Sequence, residues 1–299
     1  MKNKVLVVGG TCYCTLVNLN ELPEPKTQHL WSSSSYSTIG HMGSGKSLNL
    51  NRLGLKTTLH SFIGNDDNGR KIIEYFKKEK INFVYDFDPA GTDTHINLMD
   101  KHGQRISITT NSPTFKPEID LQKFEKLIEE NDFIALNIVN YTRYLIPLIK
   151  KHNKEIWCDL GDYKPNDSYF NDFAENADYI TMSSTYLDDY KQVMENLMSM
   201  GKKLVVCTHG SKGATALTLE GQFIETPIID SYKLVDSNGA GDSFFSGLLY
   251  SHTQDYTIEK SMKIATIVAG LCIASKELFN EDLTTDLLKL EYKKYYNTD

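Results

Sequence analysis

No apolar run in this 299-residue sequence approaches the roughly 20 residues that a helix needs to cross a bilayer. An excess of positive charge is also lacking. Lysine and arginine number 32 against 39 aspartates and glutamates, a net charge of −7. The chain as a whole therefore has no attraction to nucleic acid or anionic lipid. Internal repeats are absent, and the serine run at 32–35 is too short to link two domains. Five cysteines, at 12, 14, 158, 207 and 272, leave one over in any full pairing scheme. Cys12 and Cys14 are spaced C-x-C rather than C-x-x-C, and they read as buried apolar thiols, not as a zinc or redox site. None of the eight histidines falls in an H-E-x-x-H motif. Met1-Lys2-Asn3-Lys4 runs straight into Val5-Leu6-Val7-Val8 and Gly9-Gly10. A signal peptide needs a longer apolar stretch and a small-residue cleavage site. The expected location is a reducing cytoplasm.

The sequence is 40% hydrophobic and 24% charged, enough to bury a core without disulfides or metal. Short β-rich apolar runs alternate with amphipathic stretches. Val5–Val8, Thr57–Ile63, Phe133–Asn137, Ile156–Asp159, Tyr179–Met182 and Leu204–Thr208 read as buried strands. Ile72, Ile73 and Phe76 share a helical face, as do Leu121, Phe124, Leu127 and Ile128 behind a capping Asp120. Ile258, Met262, Ala265, Val268 and Cys272 form another. This alternation predicts an α/β fold with a mostly parallel sheet and helices on its faces. Ala214–Leu219 and Phe223–Ile224 read as a hairpin around Glu220-Gly221. A second hairpin, His95–Met99 with Arg105–Thr109, breaks the α/β rhythm. With Leu16–Leu19 and the serine-rich stretch it predicts a small β-sheet outside the main core. Glu291 to Asp299 is polar and tyrosine-rich, and is expected to fray.

Two segments carry chemistry. Gly40-His41-Met42-Gly43-Ser44-Gly45-Lys46-Ser47 matches G-x-x-x-x-G-K-S, in which amides cradle phosphates, the lysine reaches them and the serine holds Mg²⁺. That chemistry needs a buried strand just before the loop, and Ser32 to Ile39 does not read as a central strand. Asp236-Ser237-Asn238-Gly239-Ala240-Gly241-Asp242-Ser243 precedes Phe244, Phe245, Leu248 and Leu249 on one helical face. Small residues there let backbone amides approach an anion at the positive end of a helix. Asp242 is placed beside that anion hole to accept a proton from a nucleophilic hydroxyl. The plain alternative is that acidic residues favour helix N-termini and Gly-rich turns precede many helices.

The second segment resembles the second signature of the ribokinase-like, phosphofructokinase-B type carbohydrate kinases. Asp236, Ser237, Gly239 to Asp242 and Ser246-Gly247-Leu248-Leu249 carry the likeness. Gly40, Gly43, Ser47, Gly54 and Gly64 fit the spacing of the family's first signature, so the phosphate-loop string reads as an accident of it. Gly64, Asp66 and Gly69 resemble its G-x-D-x-x-G turn, and Thr208, Gly210 and Gly213 its T-x-G-x-x-G nucleotide loop. The resemblance implies one three-layer ribokinase-like domain over 1–299, with lid segments near 11–20, 29–40 and 94–110. It implies transfer of the ATP γ-phosphoryl to a hydroxyl of a sugar or sugar-like molecule. Asp242 matches the base, and Gly239, Ala240 and Gly241 the anion hole. Thr208, Gly210, Gly213, Ser183 and Asn238 are the nucleotide-side candidates. Mg²⁺ would arrive on the nucleotide, and Asp236 is the candidate for a monovalent cation such as K⁺. The family's lids often pair across a homodimer, with Leu16, Val17, Ile96 and Leu98 as the surface expected here.

The sequence also departs from the family. Gly45 stands where the family has a substrate-touching asparagine, and the positions nearest its substrate-binding aspartate are Cys14 and Thr15, beside Tyr13. Ser183-Ser184-Thr185-Tyr186 replaces N-x-x-E, which leaves metal handling to water and to Asp159 or Asp162. Lys164 stands in for the usual arginine. Tyr13, Thr15, Gly40, His41, Gly45 and the lid residue Arg105 are the acceptor-side candidates. His41 reads equally as a turn histidine, and Arg105 as an exposed hairpin charge. The departures resemble a branch acting on modified sugars such as fructosamines. A nucleoside kinase of the same fold and a non-catalytic sugar- or nucleotide-binding relative are the alternatives.

Overall fold

Val5, Leu6, Val7 and Val8 are all fully buried, as expected of a strand covered on both faces. In the computed structural model, which describes residues 3–296, they form the middle of a large sheet. The chain begins with β1 (Lys4–Val8), β2 (Cys12–Asn18), β3 (Ser34–Gly40), α1 (Met42–Arg52), β4 (Lys56–Ile63), α2 (Asp67–Lys78) and β5 (Asn82–Phe87). It continues through β6 (Thr94–Met99), β7 (Arg105–Asn111), α3 (Leu121–Glu130), β8 (Phe133–Asn137), α4 (Ile146–Lys151), β9 (Glu155–Asp159) and α5 (Asn171–Asn176). The rest comprises β10 (Tyr179–Ser183), α6 (Tyr190–Ser199), β11 (Leu204–Thr208), β12 (Ala214–Thr218), β13 (Phe223–Thr226), α7 (Ala240–Thr253), α8 (Ile258–Ile273) and α9 (Thr285–Tyr296).

The large sheet has the order β13-β12-β11-β10-β9-β8-β1-β4-β5. Its strands run parallel from β5 to β11, and the β11-β12-β13 edge is antiparallel. Successive residues of β1 feed opposite layers. Val5 and Val7 join the cluster that includes α1, α2, α7, α8 and α9, and Leu6 and Val8 join the one under α3 to α6. Strand order reverses around β1, so the carboxyl ends beside it form the crevice where α/β proteins bind ligands. The second sheet, β3-β2-β6-β7, lies outside both layers. Its core is Cys12, Cys14, Leu16 and Met99, with Tyr36 packed against it.

Local chemistry explains the element starts. Asp120 accepts from the amides of Gln122 and Lys123 and caps α3. Asp66 caps α2 through Gly69 and also takes the amide and hydroxyl of Thr92, which ties that helix to the chain entering β6. Two expectations change. The C-terminal segment does not fray as far as the description reaches. α9 continues to Tyr296 with Leu288 and Tyr292 buried, and Glu291 accepts from the Tyr232 hydroxyl at 2.7 Å. Residues 297–299 lie outside the described residues. Leu16 does not belong to an outer lid surface. It is 1% exposed and points into the small core, because alternation sends Val17 the other way.

Candidate active site

The chain turns sharply before α7. Asp236 Oδ1 accepts the Asn238 amide at 2.7 Å, and its other oxygen lies 3.3 Å from the Tyr36 hydroxyl that donates to it. Gly239 has φ 82°, and a Cβ there would sit 2.8 Å from the Leu278 carbonyl oxygen, so only glycine fits. α7 starts at the next residue. Its first-turn amides have no acceptor within the helix and carry the positive end of the dipole. A Cβ on Gly241 would meet nothing within 4 Å, which leaves room for a ligand against the backbone. Asp242 stands in this first turn.

Asp242 is not alone. The Lys46 ammonium, on α1, is 2.5 Å from its Oδ1 and 3.0 Å from Oδ2 of Asp159 at the carboxyl end of β9. The Lys46 side chain is 1% exposed, and the two carboxylates are 12% exposed. Burial pulls the ammonium down, but the two carboxylates outweigh it and raise its pKa. Burial pushes the Asp242 carboxyl up, Lys46 opposes that, and Asp159 adds to it, with a net upward direction. A carboxylate of ordinary or lower basicity would be expected from the helix start alone. Removal from water makes Asp242 a stronger base, and Lys46 keeps it ionised and in place.

This geometry explains Gly45. A Cβ at 45 would lie 2.6 Å from Asp242 Oδ2 and 2.9 Å from its Cβ. The space of a side chain at 45 is therefore filled by Asp242 itself. Gly45, an acceptor-side candidate, forms the surface on which Asp242 rests. The G-x-x-x-x-G-K-S string also has a different role from a phosphate loop. The strand before it, β3, belongs to the small sheet. Ser47 donates back to the Gly43 carbonyl at 2.6 Å, and Lys46 is spent on the two carboxylates.

The inward face of the small sheet looks toward this site. Tyr36 donates to Asp236 and to the Lys276 carbonyl, Thr38 to Glu277, and Arg105 to Asn238 Oδ1 at 2.8 Å. Arg105 is thus bonded across to the turn before α7, and is not a free hairpin charge. Gly40 pairs with Cys12 on this face. Tyr13 and Thr15 are corrected, because the alternation of β2 points them away from the face of Cys12, Cys14 and Leu16. Tyr13 lies under the Lys71 ammonium, 4.6 Å from its ring centroid, and Thr15 meets the Ser37 hydroxyl at the surface. The inward positions are Cys12 and Cys14, with His95 in register beside Cys14. Cys14 is lowered to about 6, first by its hydrogen bond with Cys12 and then, against burial, by His95. His95 is raised to about 10 by Asp93 and then by Cys14. His41 is a cap, with φ 79° and Nδ1 accepting the Met42 amide. Burial holds it at about 4, so it is neutral.

Thr208 ends β11, and Gly210 and Gly213 follow with φ 56° and 91°. A Cβ on Gly213 would collide with the Thr226 carbonyl oxygen at 2.2 Å. A cavity of about 510 Å³ runs from Thr208, Gly210 and Gly213 past Tyr232 to Ala240 and Gly241. It joins the candidate nucleotide loop to the start of α7. Ser183 sits beside Thr208 in register, but its hydroxyl is turned to Thr185. Lys164 stacks on Tyr186, 4.5 Å from the ring centroid, and Asp162 is exposed.

The sequence profile of the pfkB family carbohydrate kinases matches residues 43–284. The chain belongs to that family. The acarbose 7(IV)-phosphotransferase of an Actinoplanes species is 26% identical over 283 residues, 89% of this chain and 90% of that protein. A microbiome-derived acarbose kinase superposes with a TM-score of 0.88 at 26% identity, covering 97% of this kinase and 99% of its own chain. Arabidopsis thaliana ribokinase, solved with ribose and ATP, gives 0.79 at 18% identity over 99% of this chain and 100% of its own, a likeness of fold. Among the described residues no helix is long and apolar enough to cross a membrane.

Sequence reasoning missed the pairing of Lys46 with Asp159 and Asp242. A signal was there, since Lys46 is the one charged residue between Gly43 and Leu50, a stretch buried throughout. It also missed the inward Cys12, Cys14 and His95, which only the strand register brings together.

Proposed function

We propose that this kinase transfers the γ-phosphoryl group of Mg·ATP to a hydroxyl of a sugar or sugar-like acceptor, with Asp242 as general base. The observation that carries this is the Asp242 carboxylate in the first turn of α7, buried and ion-paired to Lys46. The acceptor oxygen attacks the γ-phosphorus, the bond to the β-phosphate oxygen breaks, and the proton passes to Asp242. The transition state is loose, so positioning and charge stabilisation supply most of the rate. The Gly239, Ala240 and Gly241 turn is assigned as the anion hole for the charge that develops on the transferring group, with the Ala240 amide also donating to the Ser237 carbonyl at 3.3 Å. Lys46 is a positioning residue, which orients the carboxylate and keeps it ionised. Thr208, Gly210 and Gly213 are assigned to the nucleotide. Ser183 and Asn238 are secondary candidates at its edges, and Mg²⁺ supplies charge neutralisation when bound with ATP. Asp236, braced by Asn238 and Tyr36, is the candidate ligand for K⁺. The small sheet is the lid over the acceptor, with Gly40, His41 and Arg105 on its cleft side. Val17, Ile96 and Leu98 on its outer face are the proposed dimer surface, tested by sedimentation.

The test is ADP release with Mg·ATP over acarbose, simple sugars, sugar acids, sugar phosphates, fructosamines and nucleosides. Acarbose is included because two relatives carry its name. Acceptor-dependent release should fall by about 10²–10⁴-fold in Asp242→Asn. Full activity in that variant sinks the assignment of the base. Selective turnover of nucleosides would replace the acceptor class and leave the mechanism standing. Ligand binding without any turnover would favour the non-catalytic alternative.

A further inference from the structure

Cys12, Cys14 and His95 have no part in the phosphoryl-transfer chemistry above. Alternation along β2 places both sulfurs on one face, and the parallel register of β2 with β6 sets His95 beside Cys14. The two Sγ atoms are 3.2 Å apart, and Cys12 Sγ is 3.8 Å from His95 Nδ1. All three donor atoms lie within 4.8 Å of one another. Gly40, opposite Cys12 on β3, keeps their surroundings clear. A Cβ there would lie 2.3 Å from Cys14 Sγ and 2.9 Å from Cys12 Sγ. Behind the ring, Asp93 Oδ1 is 3.1 Å from His95 Nε2. A carboxylate holding the far nitrogen is the arrangement that orients metal-binding histidines.

We propose that Cys12, Cys14 and His95 form a binding site for a thiophilic divalent cation of the zinc class. Zinc–sulfur bonds of about 2.3 Å and zinc–nitrogen bonds of about 2.1 Å give tetrahedral edges of roughly 3.6–3.8 Å. The Cys12–His95 separation already matches, and the sulfurs need to part by roughly half an ångström. Two thiolates and an imidazole select zinc or cobalt over Mg²⁺, so the site is distinct from the nucleotide's metal. The ion takes both sulfurs as thiolates and replaces the proton on Nδ1. The fourth position is left to water, because among the described residues no other His, Cys, Asp or Glu joins this cluster of ligand atoms. Both cysteines are buried, and the ion enters past His95, whose side chain is 22% exposed. The C-x-C spacing thus becomes a pair of ligands once β6 brings the third.

The test is spectroscopic titration of the reduced, chelator-stripped protein with Co²⁺ alone, in excess Mg²⁺ and without nucleotide. One equivalent should produce a thiolate-to-cobalt charge-transfer band and the intense visible bands of a tetrahedral ion, both erased by Zn²⁺. Cys12→Ser/Cys14→Ser should lose the charge-transfer band, and Asp93→Asn should weaken binding by about 10–100-fold. Absence of that band in the wild-type protein at saturating cobalt overturns the proposal. So does a band that persists in the double variant. Pale bands without charge transfer would place the ion on oxygen ligands such as Glu125 and Glu129, and would also overturn it.

Discussion

The nine-stranded sheet lies between two large apolar clusters, whereas the four-stranded sheet closes over only Cys12, Cys14, Leu16 and Met99. Apolar burial contributes about 25 cal/mol per Å², so the large sheet is held by its own two faces. The small sheet is anchored at one end, where Ile39 and Tyr13 pack with a large cluster, and adds polar contacts elsewhere. Tyr36, Thr38 and Arg105 reach the turn before α7 or the end of α8, and Ser237 donates to the Gly103 carbonyl in return. Regions with few buried apolar contacts open at lower free energy than the core. A cover that must admit an acceptor needs that property. On the proposed reading the contrast separates two tasks: α7, packed on the large sheet, holds Asp242, and the small sheet carries candidate acceptor contacts.

The sharpest way to break this contrast is to remove charge at the large sheet's crevice. Asp242→Asn is expected to lower turnover by about 10²–10⁴-fold and leave the small sheet in place, as measured by activity beside a thermal melt. Lys46→Met should act on stability as well. It leaves Asp159 and Asp242 facing each other without their shared cation, and breaking a buried ion pair costs about 3–5 kcal/mol. Urea denaturation should show that loss, and Asp242→Asn added to Lys46→Met should restore part of it. If Lys46→Met unfolds at the wild-type midpoint, the ion triad has no structural weight.

How much of each sheet was legible follows from the same contrast. Strands buried on both faces, such as Phe133–Asn137, are continuous apolar runs and can be read directly. β5 escaped notice because Asn82-Phe83-Val84-Tyr85-Asp86-Phe87 is a half-exposed edge with no clean pattern. The strand β6 and its hairpin partner β7 were visible from their turn, but the face each residue takes was not. Tyr13 and Thr15 adjoin a motif position in the sequence, but a one-residue step along a strand reverses the face. Lys46 was conspicuous, yet its partners are 113 and 196 residues away, a distance no local pattern spans.

A milder perturbation tests the small sheet's dependence on polar tethers. Tyr36→Phe keeps the ring against the small core and removes the hydroxyl that reaches Asp236 and the Lys276 carbonyl. Each such bond is worth about 0.5–1.5 kcal/mol. Global stability should fall by about 1 kcal/mol, and hydrogen exchange in β2, β3 and β6 should quicken more than in β1 or β8. Equal acceleration in both sheets would mean that the small sheet has no separate opening.

The smallest effect on turnover lies at the opposite end of the large sheet, where the change should touch stability alone. Glu155 begins β9, the strand whose other end carries Asp159. His252, and after it Lys203, hold its carboxyl at about 2 against an ordinary 4.5, despite the opposing effect of burial. A group lowered on folding stabilises the protein above its unfolded value. That contribution is lost as pH falls from 4.5 toward about 2. Asp242, raised on folding, contributes with the opposite sign, and its cost appears as pH rises through values above 3.8. Glu155→Gln should therefore flatten the acid side of the stability profile while turnover at neutral pH stays at the wild-type level. The measurement is a set of urea melts between pH 2 and 7 on both proteins. Superimposable acid limbs would show that the His252 and Lys203 contacts do not persist in solution. A fall in turnover at neutral pH would show instead that the two ends of β9 are coupled, and that the division between a rigid frame and a working edge runs elsewhere.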